Sequence, residues 1–247
     1  SSANPTGTLA FTPVADQFGT ATVTVTVEDG GLDNNLATPG DNATTTQTFD
    51  ITVNPVNDDP TLDAISDINI NEDAGEQTVN LTGIATGGSE VQQLRVTATS
   101  NNTGLIPDPT VTYSSADPTG TLAFTPAADQ FGTATVTVTV EDGGLDNNLA
   151  TPGDNATVVR TFTVNVAEVN DTPTLSSFTG AVDSTNEDIE SEITFAELLA
   201  QGDEADIDGT VDAFIVKQVS SGTLKIGTNS GTATAFAVGT NDTINSN

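Results

Sequence analysis

The sequence predicts an all-β protein built of tandem antiparallel Greek-key β-sandwiches. Three observations lead there: a repeat of domain length, period-two runs of β-branched residues, and turn clusters between those runs. Residues 1–62 recur at 114–175 with 11 differences, a period of 113 residues. Solenoid units run to roughly 20–50 residues, so a period this long repeats a whole domain. Its frame places boundaries at 1–58, 59–171 and 172–247: the back half of one repeat, one complete repeat, and a variant repeat truncated at its C-terminus. Ser1 matches Ser114, deep inside the repeat, and the chain holds no Met, so the sequence reads as a piece cut mid-domain at both ends.

The elements follow in order. In the first segment, Thr20–Val27 alternates Thr and Val, and the segment as a whole has room for about three strands. The complete repeat opens on an edge segment, Ala64–Ile70, followed by Thr78–Leu81, Leu94–Ala98, Val111–Tyr113, Thr121–Phe124, Thr133–Val140 and Thr161–Val166. In Thr133–Val140, Val136, Val138 and Val140 share one face, with Thr135, Thr137 and Thr139 on the other, the pattern of a strand with one wet side. Leu122, Phe124, Phe162, Val164 and Val166 supply further inward positions. Turn clusters stand between the runs: SNNTG at 100–104, IPDP at 106–109, DPTG at 117–120, DGGLDNN at 142–148 and TPGDN at 151–155. Short strands so spaced over about 110 residues predict a seven-stranded sandwich of immunoglobulin size. The variant repeat predicts one helical turn in Ile193–Leu199, then strands at Ala213–Val219, Thr223–Ile226 and Ala233–Val238.

Composition narrows the function classes. The chain carries 35 acidic residues against Arg95, Arg160, Lys217 and Lys225, a net charge of -31 with no His. Such a chain repels nucleic acid and anionic membranes. Having neither Cys nor His, it lacks disulfides, thiolate metal sites, a Cys nucleophile and the Ser-His pair. No run of about 18 apolar residues crosses a membrane.

Each domain ends alike, VNPVNDDP at 53–60 and VAEVNDTP at 166–173. An acidic Asn-Asp cluster followed by Pro resembles the cadherin linker pattern Asp-x-Asn-Asp-Asn-x-Pro. With the repeat length and the DGGLDNN loop, the chain resembles the bacterial cadherin-like repeats of giant RTX-type surface adhesins. That resemblance implies Ca2+ at the junctions, an ion that takes six to eight hard oxygens in a flexible shell. For the second linker it implies Glu168, Asn170 and Asp171, joined by Glu72 and Asp129 from the preceding repeat and by Asp206 and Asp208 of the following one. At the first linker it implies Asn57, Asp58 and Asp59, with Asp16 and Asp142 available. Pro55 there replaces the first acid, and Thr86-Gly87-Gly88 stands where the variant repeat has Asp206-x-Asp208. For the acids of the DGGLDNNLATPGDN loop two readings stay open, ion ligands or the Asx-turn chemistry that Asp and Asn supply without any ion. Asp183, Glu187, Asp188, Glu190 and Glu192 read as a solvated acidic face.

The resemblance implies a structural spacer of an extracellular bacterial adhesin or surface filament, stiffened by calcium, with neighbouring repeats of the same long chain as partners. The alternative is a calcium-dependent module that binds cell-surface glycans or like domains. Glycan platforms present aromatic faces. This chain has no Trp, its one Tyr is Tyr113, and its Phe residues fall mostly on inward positions. An enzyme is the weakest class, since no carboxylate pair stands apart from the calcium pattern.

Overall fold

The strongest alternation in the sequence becomes the central strand of a sandwich in a computed structural model that describes residues 7–88 and 90–246. The start of the first repeat copy, residues 1–6, lies outside them. The hairpin β1 (Gly19–Glu28) and β2 (Thr44–Val53) comes first. The complete repeat then supplies β3 (Ile68–Asn71), β4 (Gln77–Leu81), β5 (Leu94–Ser100), β6 (Thr110–Thr112), β7 (Gly120–Phe124), β8 (Gly132–Asp142) and β9 (Thr157–Ala167). These seven form two sheets in the orders β3-β9-β8-β5 and β4-β7-β6. From β3 to β6 the chain alternates between the sheets and it crosses again from β7 to β8, while β6–β7 and β8–β9 pair within one sheet, so the inward face of each sheet is buried against the other.

Register follows from the alternation. β8 lies antiparallel between β5, with Val96 opposite Val140 and Ala98 opposite Val138, and β9, with Val136 opposite Phe162 and Ala134 opposite Val164. A one-residue slip on either side would exchange Val for Thr across the whole inward face. The core joins Val136, Val138, Val140, Phe162 and Val164 to Leu81, Leu122 and Phe124 of the other sheet, closed at one end by Leu105 and Ile106.

The first segment is a controlled comparison. GTLAF at 7–11 is identical to GTLAF at 120–124, yet only the second copy is a strand, held between β4 and β6. Without those partners the first copy stays irregular, so two strands form there where about three were expected. Phe11 is 58% exposed against 4% for Phe124, Val27 62% against 0% for Val140, and Phe49 44% against 2% for Phe162. The hairpin ladder itself is complete, from Gly19 opposite Val53 to Glu28 opposite Thr44.

The chain divides into two compact units. The first runs to Val166 except for Asn71–Asp73 and Ala128–Phe131, which belong with the segment from Ala167 onward. That second unit is more thinly cored. Its helix α1 (Phe195–Gln201) begins with a capping box: the Thr194 hydroxyl accepts from the Glu197 N–H at 3.2 Å, and the Glu197 carboxylate accepts from the Thr194 N–H at 2.8 Å. Phe195 and Phe178 both tilt against Phe214, with centroids 5.7 and 6.2 Å away. Phe214 sits in β10 (Ala213–Ile215), paired with β13 (Thr243–Asn245), while β11 (Lys225–Ile226) pairs with β12 (Thr234–Ala235). The strands expected at 213–219, 223–226 and 233–238 are shorter than the pattern suggests, because each finds a single short partner. β13, in TNDTIN, carries too little alternation to stand out in the sequence.

Truncating Phe124 to Ala should cost about 3–5 kcal/mol, the usual toll of emptying a buried aromatic site. Phe11→Ala should cost under about 0.5 kcal/mol, as surface substitutions do. Urea unfolding of the two variants measures the difference. Equal losses would mean that the first copy is covered after all.

Candidate functional site: carboxylates at the linkers

The turn after β3, the turn before β8, the linker after β9 and the loop after Ala205 bring carboxylates together within the second unit. Two of these turns need left-handed backbone, which Asp tolerates better than most residues: Asp73 has φ 59° and Asp129 φ 54°. The Asp129 N–H donates to Asp73 Oδ1 at 3.2 Å, locking the two turns to each other. Glu72 is buried; its N–H donates to the Ala167 carbonyl at 2.9 Å and its Oε1 accepts from the Val169 N–H at 2.7 Å. Bridge pairing of Thr174 with Ala205 carries the next loop alongside, where the Asp171 N–H donates to Asp208 Oδ2 at 3.0 Å.

Carboxylate oxygens of Asp73, Asp129 and Asp171 lie within 4.8 Å of one another, the spacing of ligands around a shared cation. Buried oxygens nearby lack hydrogen-bond partners: Asp171 Oδ2, Asp206 Oδ1 and Asp208 Oδ1. A buried polar atom left unpaired is costly, and three carboxylate oxygens in one place multiply that cost. Loss of hydration, with repulsion from Asp73, Asp129, Asp208 and Glu72, holds the Asp171 carboxyl above the usual carboxylate range. Asp206 is raised too, first because its protonated form can donate to Asp208 and then by loss of hydration, whereas the Asp171 N–H holds Asp208 low. These donors are hard oxygens with no nitrogen or sulfur among them, the set that suits Ca2+.

Of the residues singled out in the sequence, Glu72, Asp129, Asp171, Asp206 and Asp208 lie in this network. Glu168 and Asn170 are exposed, and the Asn170 amide donates to the Asp171 carbonyl at 2.7 Å. Asp73 was missed. Its signal was present in NEDAG, where the acid next to Glu72 occupies the turn position.

The first linker is built differently, inside the first unit. Thr61 pairs with Ala85 as Thr174 does with Ala205, so Thr86-Gly87-Gly88 occupies the place of Asp206-Ile207-Asp208. A Cβ on Gly88 would collide with Asp58 Oδ2, and one on Gly87 with the Asp59 carbonyl. Those glycines let the linker backbone lie close. The carboxylate they give up is supplied by Glu90, whose Oε2 accepts from the Asp58 N–H at 3.1 Å, as Asp208 does from Asp171. Glu90 Oε1 and Gln92 Oε1 are buried without partners. The Gln92 amide donates to Asn57 Oδ1 at 2.5 Å, and the Asn57 amide reaches both oxygens of buried Asp142 at 3.3 Å. Asp16, with φ 56°, lines a depression of about 250 Å³ with Asp58 and Glu90, while Asp59 is exposed. Glu90 was missed because its pattern position is shifted by two residues.

The DGGLDNNLATPGDN loops satisfy their own acids. Asp142 Oδ1 accepts from the N–H groups of Gly144 and Ala156 at 3.0 and 2.8 Å, Asp146 from Asn148 at 2.9 Å and Asp154 from Leu145 at 2.9 Å. The first copy repeats this arrangement with Asp29, Asp33 and Asp41, and the Ala43 and Gly31 N–H groups hold Asp29 below its usual range. Here the Asx-turn reading accounts for the residues. Tyr113 is half-buried, packed against the sandwich core and close beside Gly120.

No family model and no curated relative matches the sequence. Among solved structures, domains 4 and 5 of the surface-layer protein SbsC are similar at 19% identity and a TM-score of 0.31, over 51% of this chain and 64% of that one. Domains 4–9 of SbsC are similar at 16% identity and a TM-score of 0.32, over 82% and 29%. The extracellular domain of protocadherin GammaB4 gives 13% identity and a TM-score of 0.38, over 90% and 35%. The chain thus spans less than two thirds of each of these structures. The assignment to the sandwich class rests on the sheet orders given above.

Charge at Asp171 sets a testable pH dependence. A carboxyl whose folded pKa is raised favours the folded state below its ordinary value near 3.8 and disfavours it increasingly as pH rises through the raised value. In chelator, Asp171→Asn should therefore melt close to the parent at about pH 4 and above it at pH 7. A variant melting below the parent at pH 7 would show that the Asp171 charge is compensated.

Proposed function

We propose that this chain is a spacer segment of a bacterial extracellular adhesin or surface filament, with its linkers stiffened by bound Ca2+. The observation that carries the reading is the trio Asp73, Asp129 and Asp171, beside three buried carboxylate oxygens without partners, in a chain with only four basic residues. Asp73, Asp129 and Asp171 would hold the ion, with Asp206 and Asp208 beside them. Bound there, the cation supplies positive charge that offsets the mutual repulsion of these carboxylates.

The near-identical repeats favour a spacer, because extension needs copies whereas a recognition site needs one unique surface. Neighbouring repeats are then the natural partners, and an extracellular location supplies millimolar calcium. The self-satisfied DGGLDNN loops fit the same reading, since each sandwich keeps its own fold whether or not ions occupy the linkers.

Affinity should be that of an extracellular module, on the order of 0.1–1 mM. At ten to a hundred times Kd the ion stabilises the folded state by about 1.4–2.7 kcal/mol. Calcium titration of the full chain, followed by calorimetry and small-angle scattering, should show a rise in melting temperature and a narrower distribution of lengths. Asp171→Asn should abolish most of that rise. If neither melting temperature nor scattering responds to calcium, the acids are only a solvated surface.

A further inference from the structure

The hairpin β1–β2 carries an apolar face that nothing among the described residues covers, and the second copy of the same sequence records what covers it. Every inward position is matched: Leu9 by Leu122, Phe11 by Phe124, Val25 by Val138, Val27 by Val140, Phe49 by Phe162 and Ile51 by Val164. Only the last pair differs in identity, and both its members are β-branched. In the complete copy these positions are buried by the strands between residues 68 and 112, which pair with β8 along one edge and pack across its inner face. The hairpin presents the same edge and the same face in the same register.

We propose that the face and free edge of β1–β2 form a docking surface for the front half of another copy of this repeat, a segment patterned like residues 59–113. The occupant is a β-forming segment rather than a helix or a ligand, because the edge of β1 exposes a row of unpaired backbone groups where β8 is bonded to β5. Register is specified by the copy. Val96 of the incoming segment falls opposite Val27, Thr97 opposite Thr26 and Ala98 opposite Val25, as they do opposite Val140, Thr139 and Val138. Association of this kind involves no ion, so it stands or falls apart from the calcium reading.

Because the chain has no Cys, engineered thiols report the pairing cleanly. The full chain carrying Thr26→Cys is mixed under mild oxidation with a polypeptide of residues 59–113 carrying Thr97→Cys. A one-to-one disulfide adduct is expected, at least tenfold more abundant than with Thr22→Cys, which lies four residues along the strand and beyond the reach of a disulfide. Val25→Glu with Phe49→Asp should abolish the adduct while leaving the melting of the middle sandwich unchanged, since both side chains are exposed in the free hairpin. No adduct, or equal adducts at positions 22 and 26, overturns the proposal. So does a full chain that is dimeric in sedimentation, becomes monomeric with Val25→Glu and takes up no added segment, because the face then belongs to a second hairpin. Should the separate polypeptide be insoluble, residues 59–113 fused directly ahead of Ser1 reproduce the Tyr113–Ser114 junction of the complete copy. Phe11→Ala, silent in the parent chain, should then lower a melting transition, and continued silence overturns the proposal.

Discussion

Thirty-five carboxylates and four cationic side chains cannot be matched in pairs, so nearly every acid must find a backbone N–H, water or a cation. The protein solves this locally wherever it can. In the DGGLDNN loops each Asp accepts from amide groups two residues on or across the loop, so carboxylates serve as hydrogen-bond acceptors that fix the turn. Salt bridges do little of the work. Among the described residues, Arg95 bonds to Glu141 and Lys225 to Glu190, both at exposed or partly exposed sites where such pairs contribute little. At the linkers N–H groups satisfy only some of the carboxylate oxygens, and Asp171 Oδ2, Asp206 Oδ1, Asp208 Oδ1 and Glu90 Oε1 are left over.

The two linkers answer that remainder in different ways. At the second, Asp73, Asp129 and Asp171 crowd together, and repulsion raises the Asp171 carboxyl. At the first, Thr86 and Gly88 stand in the places of Asp206 and Asp208, Gly87 and Gly88 let the backbone draw in, and Glu90 returns one carboxylate to the Asp58 N–H. The charge density is lower there, and neutral amides from Asn57 and Gln92 take over part of the hydrogen bonding. Linkers with nearly the same sequence thus differ because the loop they meet differs.

How much of this was legible in the sequence depended on whether a residue's environment was local. β8 was readable residue by residue because its alternation is strict and both faces have a definite fate. The identical GTLAF segments show the limit: the same five residues are strand or irregular according to whether β4 and β6 lie beside them, and no window of sequence contains that information. β13 was invisible for the converse reason, a weak pattern stabilised by its partner. At the site, Asp129 and Asp171 were recognisable from their linker and turn positions, whereas Glu90 reached its place by a longer side chain from a shifted position, and Asp73 through the turn that Glu72 anchors. The Asx turns could be read only as one of two options until their N–H partners were known.

The hairpin of the repeat, with its self-sufficient loop, has a consequence for how such a chain folds. A ladder of ten pairs closed by one loop is short-range in sequence and can form early, before the strands between residues 68 and 112 arrive. In an array of near-identical repeats, early hairpins are interchangeable targets, and a front half can join the wrong one, the characteristic failure of repeat proteins. The differences between the two copies are not scattered. Eight of the 11 fall between positions 45 and 55, on the second strand of the hairpin and its exit, next to the opening strand of the front half. Divergence concentrated there leaves the shared core intact while making the edge that meets the opening strand differ between the two copies.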